Sequence, residues 1–462
     1  MFNFKTLKLT KRCDSESTNS FVGIRRNENG EVEFRLPHGF DDFPENDFNA
    51  TKDLFFKMYR TFKKFERDNW RPNILDSRSA GKDNVETEKN GYRFKNKEDN
   101  EIVLYSKIAL IENLLEVYRD LSLDVIERRI GREEKIDYSK IDRYLDKAIY
   151  LPNDVIYIDE MDLPRQTLQY EAVTLIDLFC FIVSELQNEL EQDIEPRVQE
   201  LAHRFSEQHL NHEESLFNEE TFETTIFTLK NVLDDIHKYT AYKDEDYWRL
   251  FEAVELFLYG ELDMEKPDEN GIYWGINNFS SVWEDMCSTY AFANFDVLYA
   301  DTNIKFNGKP VANAKSAGYF PIYKKENFED PFFIEFRGKK RWMRPDMVCG
   351  RWANIPINLN EFSDVAFLDL FDWKYMDESC FITHNQKIQM DVIKQLCYEL
   401  AFQKNSSCSS IDPAIENTFV ISWFGKSDEI DADKLHPNLK NNRLNVLKLD
   451  FLETQQIYLT HD

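Results

Sequence analysis

The chain is poor in the residues that mark unusual architectures. Glycine and proline number only 14 each among 462 residues, which excludes collagen-like and low-complexity classes. Cysteine is sparse and dispersed, at positions 13, 180, 287, 349, 380, 397 and 408. No C-x-x-C pair occurs, so zinc knuckles and thioredoxin chemistry have no support. An odd, scattered set fits a reducing cytoplasm. Long apolar runs are missing too. The most apolar stretch, from Val173 to Val183, is short and interrupted by Asp177, and it reads as a buried helix rather than a membrane span. The opening MFNFKTLKLTKR has no apolar core of signal-peptide length. A soluble, cytoplasmic protein is expected. No internal repeat and no G-x-x-x-x-G-K-[ST] phosphate loop occur.

Positive charge is also in deficit: 57 Lys+Arg stand against 85 Asp+Glu, a net of −28. That balance argues against a protein that coats nucleic acid non-specifically, but it leaves room for a local nucleic-acid surface. Aromatic residues are plentiful, with 37 Phe and 21 Tyr. Such a load argues against disorder. The length allows roughly two to four domains and a core that needs no disulfides.

Residues 21–37 read as two short strands around a turn marked by Asn29-Gly30. Residues 51–68 read as a helix, with Leu54, Phe55, Met58, Tyr59, Phe62 and Phe65 on one face. Residues 76–101 are polar and read as a linker or mobile loop. Residues 102–260 carry helical patterns such as Leu104, Ile108, Ile111, Leu115 and Tyr118, with a β-like interruption at 148–158. Positions 151–250 hold 23 acidic and 7 basic residues, a net of −16. Solvated helix faces give that pattern, and so does a docking surface for a basic partner. Beyond a composition change near 265, short β-rich runs alternate with helices. The expected organisation is a β-hairpin and helix module at 1–75, the polar linker at 76–101, an acidic helical domain at 102–265 and an α/β domain at 266–462.

The chemistry concentrates in the last of these. Asp346 follows Pro345 in RWMRPDMVCG, and Asp372 and Lys374 lie in FLDLFDWKY, with Asp372 26 positions after Asp346. On a strand, residues two apart share a face. Asp372 and Lys374 therefore project together and Trp373 projects oppositely. If the Asp346 segment is the neighbouring strand, two carboxylates and an ammonium meet. Two carboxylates suit a hard divalent cation such as Mg²⁺ or Mn²⁺. Such a cation polarises a phosphoryl oxygen and acidifies water, and a lysine beside it orients that water. Pro-Asp, a gap, then Asp-x-Lys is the signature of the PD-(D/E)xK nuclease fold. A surface turn plus a strand with a solvated charge pair gives the same string of letters.

Flanking elements add candidates. Glu284 sits beside the apolar side of a helix over 279–292, placed to reach the metal or its water. Asp391, Lys394, Gln395 and Tyr398 share a helix face directly after the Asp-x-Lys strand, a stripe placed to orient the lysine and contact the DNA backbone, or else a solvated helix face. The run RGKKRWMR places Arg337, Lys339, Lys340, Arg341 and Arg344 just before Asp346. Positions 301–350 are net +4, a local reversal of sign that favours phosphate contact. His203, His209 and His212 cluster as well, but without a nearby cysteine they make a poor zinc site.

The runs GINNFSSVWEDM, RPDMV, LFDWKY and DVIKQLCYELAF resemble the nuclease core of LlaJI-type restriction endonucleases, relatives of the McrC subunit of modification-dependent restriction systems. The resemblance is specific in 279–400. It departs at Trp373, where the family has a small residue, and after Gln395, where Tyr398 comes one position early. It implies a C-terminal PD-(D/E)xK domain, a mixed sheet flanked by helices, behind a mainly helical region with a short β-rich start. It implies a Mg²⁺-dependent endodeoxyribonuclease of a bacterial anti-phage system. Asp346, Asp372 and Glu284 would hold the metal, with Lys374 and Gln395 as further catalytic residues. Arg337, Lys339, Lys340, Arg341, Arg344 and Lys394 would contact DNA. It also implies a McrB-like AAA+ NTPase partner and, in the same system, a DNA methyltransferase. Two other functions fit the residues: a non-catalytic adaptor that regulates an NTPase, and an RNA-directed nuclease toxin.

Overall fold

A computed structural model provides the structure. It describes residues 4–5, 7–11, 20–27, 29–69, 87–88, 91–95, 101–120, 134–136, 145, 148–151, 155–158, 165–167, 171–239, 245–260, 271–295, 297–300, 305–306, 309–310, 332–343, 345–352, 365–383, 385–405 and 414–461. The protein is mixed α/β, with two mixed sheets flanked by helices. Its contacts group residues 108–265 into one unit, and 4–107 with 266–462 into another.

In the first unit the helices are Ala109–Asp120, Glu171–Glu189, Pro196–His209, Phe222–Tyr239 and Glu245–Tyr259. Leu110, Ile111, Leu114 and Val117 form the buried stripe of the first helix. Leu104, expected on that helix, instead belongs to the strand Glu101–Tyr105. The apolar helix Glu171–Glu189 carries one buried acid, Asp177, which accepts hydrogen bonds from Arg204 Nε and Nη2 at 2.6 and 2.5 Å. A two-pronged guanidinium makes a buried carboxylate tolerable there. The β-like interruption is a small hairpin of Ile149–Leu151 and Val155–Tyr157.

In the second unit the sequence-distant strands Val22–Arg26 and Ile272–Ile276 lie side by side, antiparallel. Glycine makes the approach possible. Gly23 faces Gly275, and a Cβ on Gly23 would sit 2.2 Å from the Trp274 carbonyl oxygen. The seven-stranded sheet built on this pair runs Lys8–Thr10, Val32–Arg35, Val22–Arg26, Ile272–Ile276, Glu101–Tyr105, Gly91–Lys95, Thr87–Glu88. The segment expected as a linker thus supplies two strands of the sheet. The polar stretch is almost free of aliphatic residues, but strands at and next to a sheet edge satisfy their backbone groups without needing two buried faces.

Helix Phe48–Asn69 is capped by Asp47, whose Oδ1 accepts from the Ala50 N–H at 2.9 Å. Its apolar stripe is fully buried. Phe55, Tyr59 and Phe62 enclose the Trp274 ring at 5.1, 6.1 and 5.0 Å. Each such aromatic contributes roughly 1.5–3 kcal/mol by burial.

The six-stranded sheet runs Val297–Ala300, Met347–Trp352, Val365–Lys374, Ala414–Trp423, Leu444–Asp450, Asp428–Glu429. The first two pairings and the last are antiparallel. The two between are parallel, and helix Gln386–Asn405 bridges the first of them. Ile388 and Val392 of that helix pack on Phe419, Ile421 and Val446 of the sheet. The opposite face carries Phe371 and Trp373, whose rings stack at 5.5 Å, and Phe295, just past helix Ser280–Asn294, stacks on Phe371 at 5.6 Å. Residues 38–40 lie against the end of this sheet. Ser422 Oγ donates to the His38 carbonyl at 2.8 Å, and the His38 N–H donates to Tyr375 Oη at 3.1 Å.

Candidate active site

Strand alternation places the Asp-x-Lys pair. Along Val365–Lys374, Asp372 and Lys374 turn to the side covered by helix Gln386–Asn405, and Phe371 and Trp373 turn away. The parallel register sets Phe419 beside Asp372 and Ile421 beside Lys374, so both charges lie over an apolar floor. Lys374 Nζ stands 5.7 Å from the Phe419 ring centroid.

The antiparallel register carries Asp346 to the same point. Met347 faces Phe371, so Asp346, one residue earlier, comes opposite Asp372. Asp346 Oδ2 accepts a hydrogen bond from the Trp373 N–H at 3.0 Å, which fixes the end of the first strand against the second. The Asp346 and Asp372 carboxyls are themselves in hydrogen-bonding contact.

Lys374 Nζ lies 2.9 Å from Asp372 Oδ2 and 3.3 Å from Asp391 Oδ2. Burial alone would lower the ammonium's pKa. The carboxylates of Asp372, Asp391 and Asp346 outweigh it and hold the lysine protonated, above its ordinary value. Asp372 moves strongly upward. Burial is the first cause, and the neighbouring Asp346 charge adds to it against the opposing pull of Lys374.

Gln395 is fully buried and donates from Nε2 to the Leu370 carbonyl at 3.3 Å, tying helix to strand. The Tyr398 phenol is pushed up by burial and then by the Asp372 and Asp346 charges. The stripe expected along this helix therefore divides: Asp391, Gln395 and Tyr398 point inward, while Lys394 is more than half exposed and touches Asp391 at 3.6 Å. Of the stripe expected to orient the lysine, Asp391 is the residue that touches Lys374. Its i, i+4 spacing to Gln395 was the available signal.

Glu284 is half-buried on helix Ser280–Asn294. Its neighbour Cys287 is wholly buried, and its thiol is raised by burial and then by the charges of Glu284 and Asp346. Glu284 and Asp346 thus act on one buried atom. Among the described residues, no group of three or more His, Cys, Asp or Glu side chains is arranged to hold a metal ion. The donor set that is present is the Asp346–Asp372 pair. Mg²⁺ is commonly held by one or two carboxylates with water completing its shell. Two like-charged, desolvated carboxyls in contact fit that chemistry.

The expected DNA-contact residues fall on a hairpin of Phe333–Phe336 and Lys339–Trp342. Arg337 and Lys339 are exposed at its tip, Lys340 and Arg341 continue its second strand, and Arg344 lies outside the described residues. The histidine cluster forms no site. His209 packs on Phe205 at 4.8 Å, and exposed His203 lies beside Glu207 at 3.6 Å. Among the described residues, no helix is long and apolar enough to cross a membrane. No family model, curated protein or solved structure matches this chain.

Proposed function

We propose that this protein is a metal-dependent endodeoxyribonuclease of the PD-(D/E)xK type. The observation that carries the reading is the convergence of Asp346, Asp372 and Lys374 on one sheet face from two adjacent strands. A bound Mg²⁺ or Mn²⁺ supplies Lewis acidity toward the phosphoryl oxygens and acidifies water. Asp346 and Asp372 would hold the cation, with Glu284 as a further candidate. Lys374 orients the attacking water and offsets negative charge that develops on the phosphate. Asp391 fixes the ammonium, and Gln395 fixes the helix that carries Asp391.

The resemblance to LlaJI-type and McrC-related subunits extends the proposal to anti-phage restriction with a McrB-like AAA+ NTPase, a cytoplasmic setting, and a methyltransferase in the same system. The absence of a phosphate loop in this sequence supports a separate motor. The acidic segment 151–250 suits docking of that partner, since it repels phosphate.

A second reading is a non-catalytic regulator of such an NTPase. The closed ion cluster of Lys374 with Asp372 and Asp391 favours it, because a fully paired lysine also serves a purely structural end. The experiment is DNA cleavage by the full chain with its motor, with and without Mg²⁺. Metal-dependent cutting that is lost in Asp372→Asn supports the nuclease. Motor binding without any cutting supports the regulator.

A further inference from the structure

The hairpin of Phe333–Phe336 and Lys339–Trp342 has an uncommon tip. Arg337 and Gly338 both take positive φ, 52° and 73°. Two central residues with positive φ make the turn that matches strand twist, and Asn-Gly or Gly-Gly is its usual chemistry. Here an arginine occupies the strained first position. Backbone strain of this kind persists where the side chain has a task.

What the turn displays is specific. Phe336 is 59% exposed and Ile334, on the same strand face, is 47% exposed. The Arg337 guanidinium lies over the Phe336 ring at 5.3 Å. Phe336 is the register partner of Lys339, which is also exposed. A large aromatic at a hairpin tip would ordinarily be buried. This one is held outward by the strand alternation and flanked by two cations.

The base of the hairpin is anchored. The Met343 N–H donates to the Phe332 carbonyl at 2.8 Å, and Phe332 packs on Phe402 at 6.0 Å. Phe402 belongs to helix Gln386–Asn405, the helix whose Asp391 grips Lys374. One rigid element thus carries both the candidate site and the hairpin, about 16 Å apart along the helix axis at 1.5 Å per residue.

We infer that this hairpin is a DNA wedge: Phe336 stacks against an opened base step of a duplex, while Arg337 and Lys339 hold the flanking phosphates. The charge favours nucleic acid over protein. Positions 301–350 are net +4 in a chain of −28. Apolar side chains that enter a duplex between cationic anchors unstack and kink it, and bases stack on aromatic faces regardless of sequence. The wedge rests on the nuclease reading and deepens it, since it presents a distorted duplex to the site.

The test uses the full chain, a short labelled duplex, the matching single strand, an RNA duplex, and a duplex carrying a fluorescent base analogue that brightens on unstacking. The wild type should bind the DNA duplex and brighten the analogue. Phe336→Ala should weaken binding about tenfold and abolish the brightening, with the salt dependence unchanged. Phe336→Trp should restore both. Lys339→Ala should lower the slope of log affinity against log salt by about one phosphate contact and leave the brightening in place. Absence of duplex binding by the wild type, equal brightening in Phe336→Ala, or tighter Phe336-dependent binding to RNA would each overturn the wedge. Cleavage of the same duplex is scored in parallel with Mg²⁺ and the motor present. Cutting without Phe336 dependence removes the wedge and leaves the nuclease; Phe336-dependent unstacking without cutting removes the nuclease and leaves the wedge.

Discussion

Lys374 on the central strand and Asp391 on the crossover helix meet at 3.3 Å, which makes the lysine a joint between sheet and helix. Its other carboxylate, Asp372, comes from its own strand. An ammonium gripped from two elements is held in one position, and a group that must aim at water needs that restraint. Asp391→Asn keeps the volume and removes the charge. DNA cleavage should fall about ten- to a hundredfold, the usual effect of losing a group that orients a site residue. Duplex affinity should stay unchanged, and a parallel loss of affinity would assign Asp391 to DNA contact instead.

Gln395 makes a separate, structural prediction. It is wholly buried, and its amide donates to the Leu370 carbonyl. Gln395→Ala leaves a cavity and an unmet carbonyl between helix and strand. The loss should be about 2–3 kcal/mol by chemical denaturation. A change below about 0.5 kcal/mol, within the range of surface substitutions, would show that the residue is not buried in solution.

In the helical unit, Asp177→Ala should destabilise the protein by about 2–4 kcal/mol. The Arg204 partner is about one-third exposed, which discounts the cost of a fully buried pair. Thermal melting with calorimetry measures it. Asp177→Leu, which fills the apolar helix and frees Arg204 toward water, should recover part of the loss.

His209 gives this unit a pH response. Its pKa lies below the ordinary histidine value, chiefly because it is partly buried, with Asp177 opposing the shift. A depressed folded-state value means that the unfolded chain takes up the proton first. The associated stability is present above about pH 6.5 and is lost as pH falls through the lowered folded value. Replacing His209 with Gln should flatten the stability profile over that window. A steeper acid loss in the variant would reverse the sign of this argument.

Periodicity made the chain's most regular parts readable before any coordinates. The hairpin around Asn29-Gly30, the helix bearing Phe55 and Phe62, and the alternation that sends Asp372 and Lys374 one way and Trp373 the other follow from local pattern. Strand pairing across hundreds of residues does not. Nothing local in residues 87–95 announces edge strands. The Gly23–Gly275 approach depends on a partner about 250 positions away, so linear composition splits what one sheet joins. The helical spacing of Asp391 was plain and marked a stripe able to orient the lysine, but which member of the stripe reaches Lys374 depends on another element. Glu284 was legible as a helix residue beside an apolar stripe.

The most direct measurement is the rate of Mg²⁺-dependent DNA cleavage by Lys374→Ala beside the wild type, in the presence of the cognate motor. The variant should fold, bind the motor and bind the duplex as the wild type does. It should cut at least about a hundredfold more slowly, the scale of a lost electrostatic or proton-transfer group. Lys374→Arg should not rescue it, because a planar guanidinium does not fit the position of a compact ammonium. Equal cutting by Lys374→Ala and wild type would contradict the site, and a wild type that binds the motor and never cuts would contradict the enzyme.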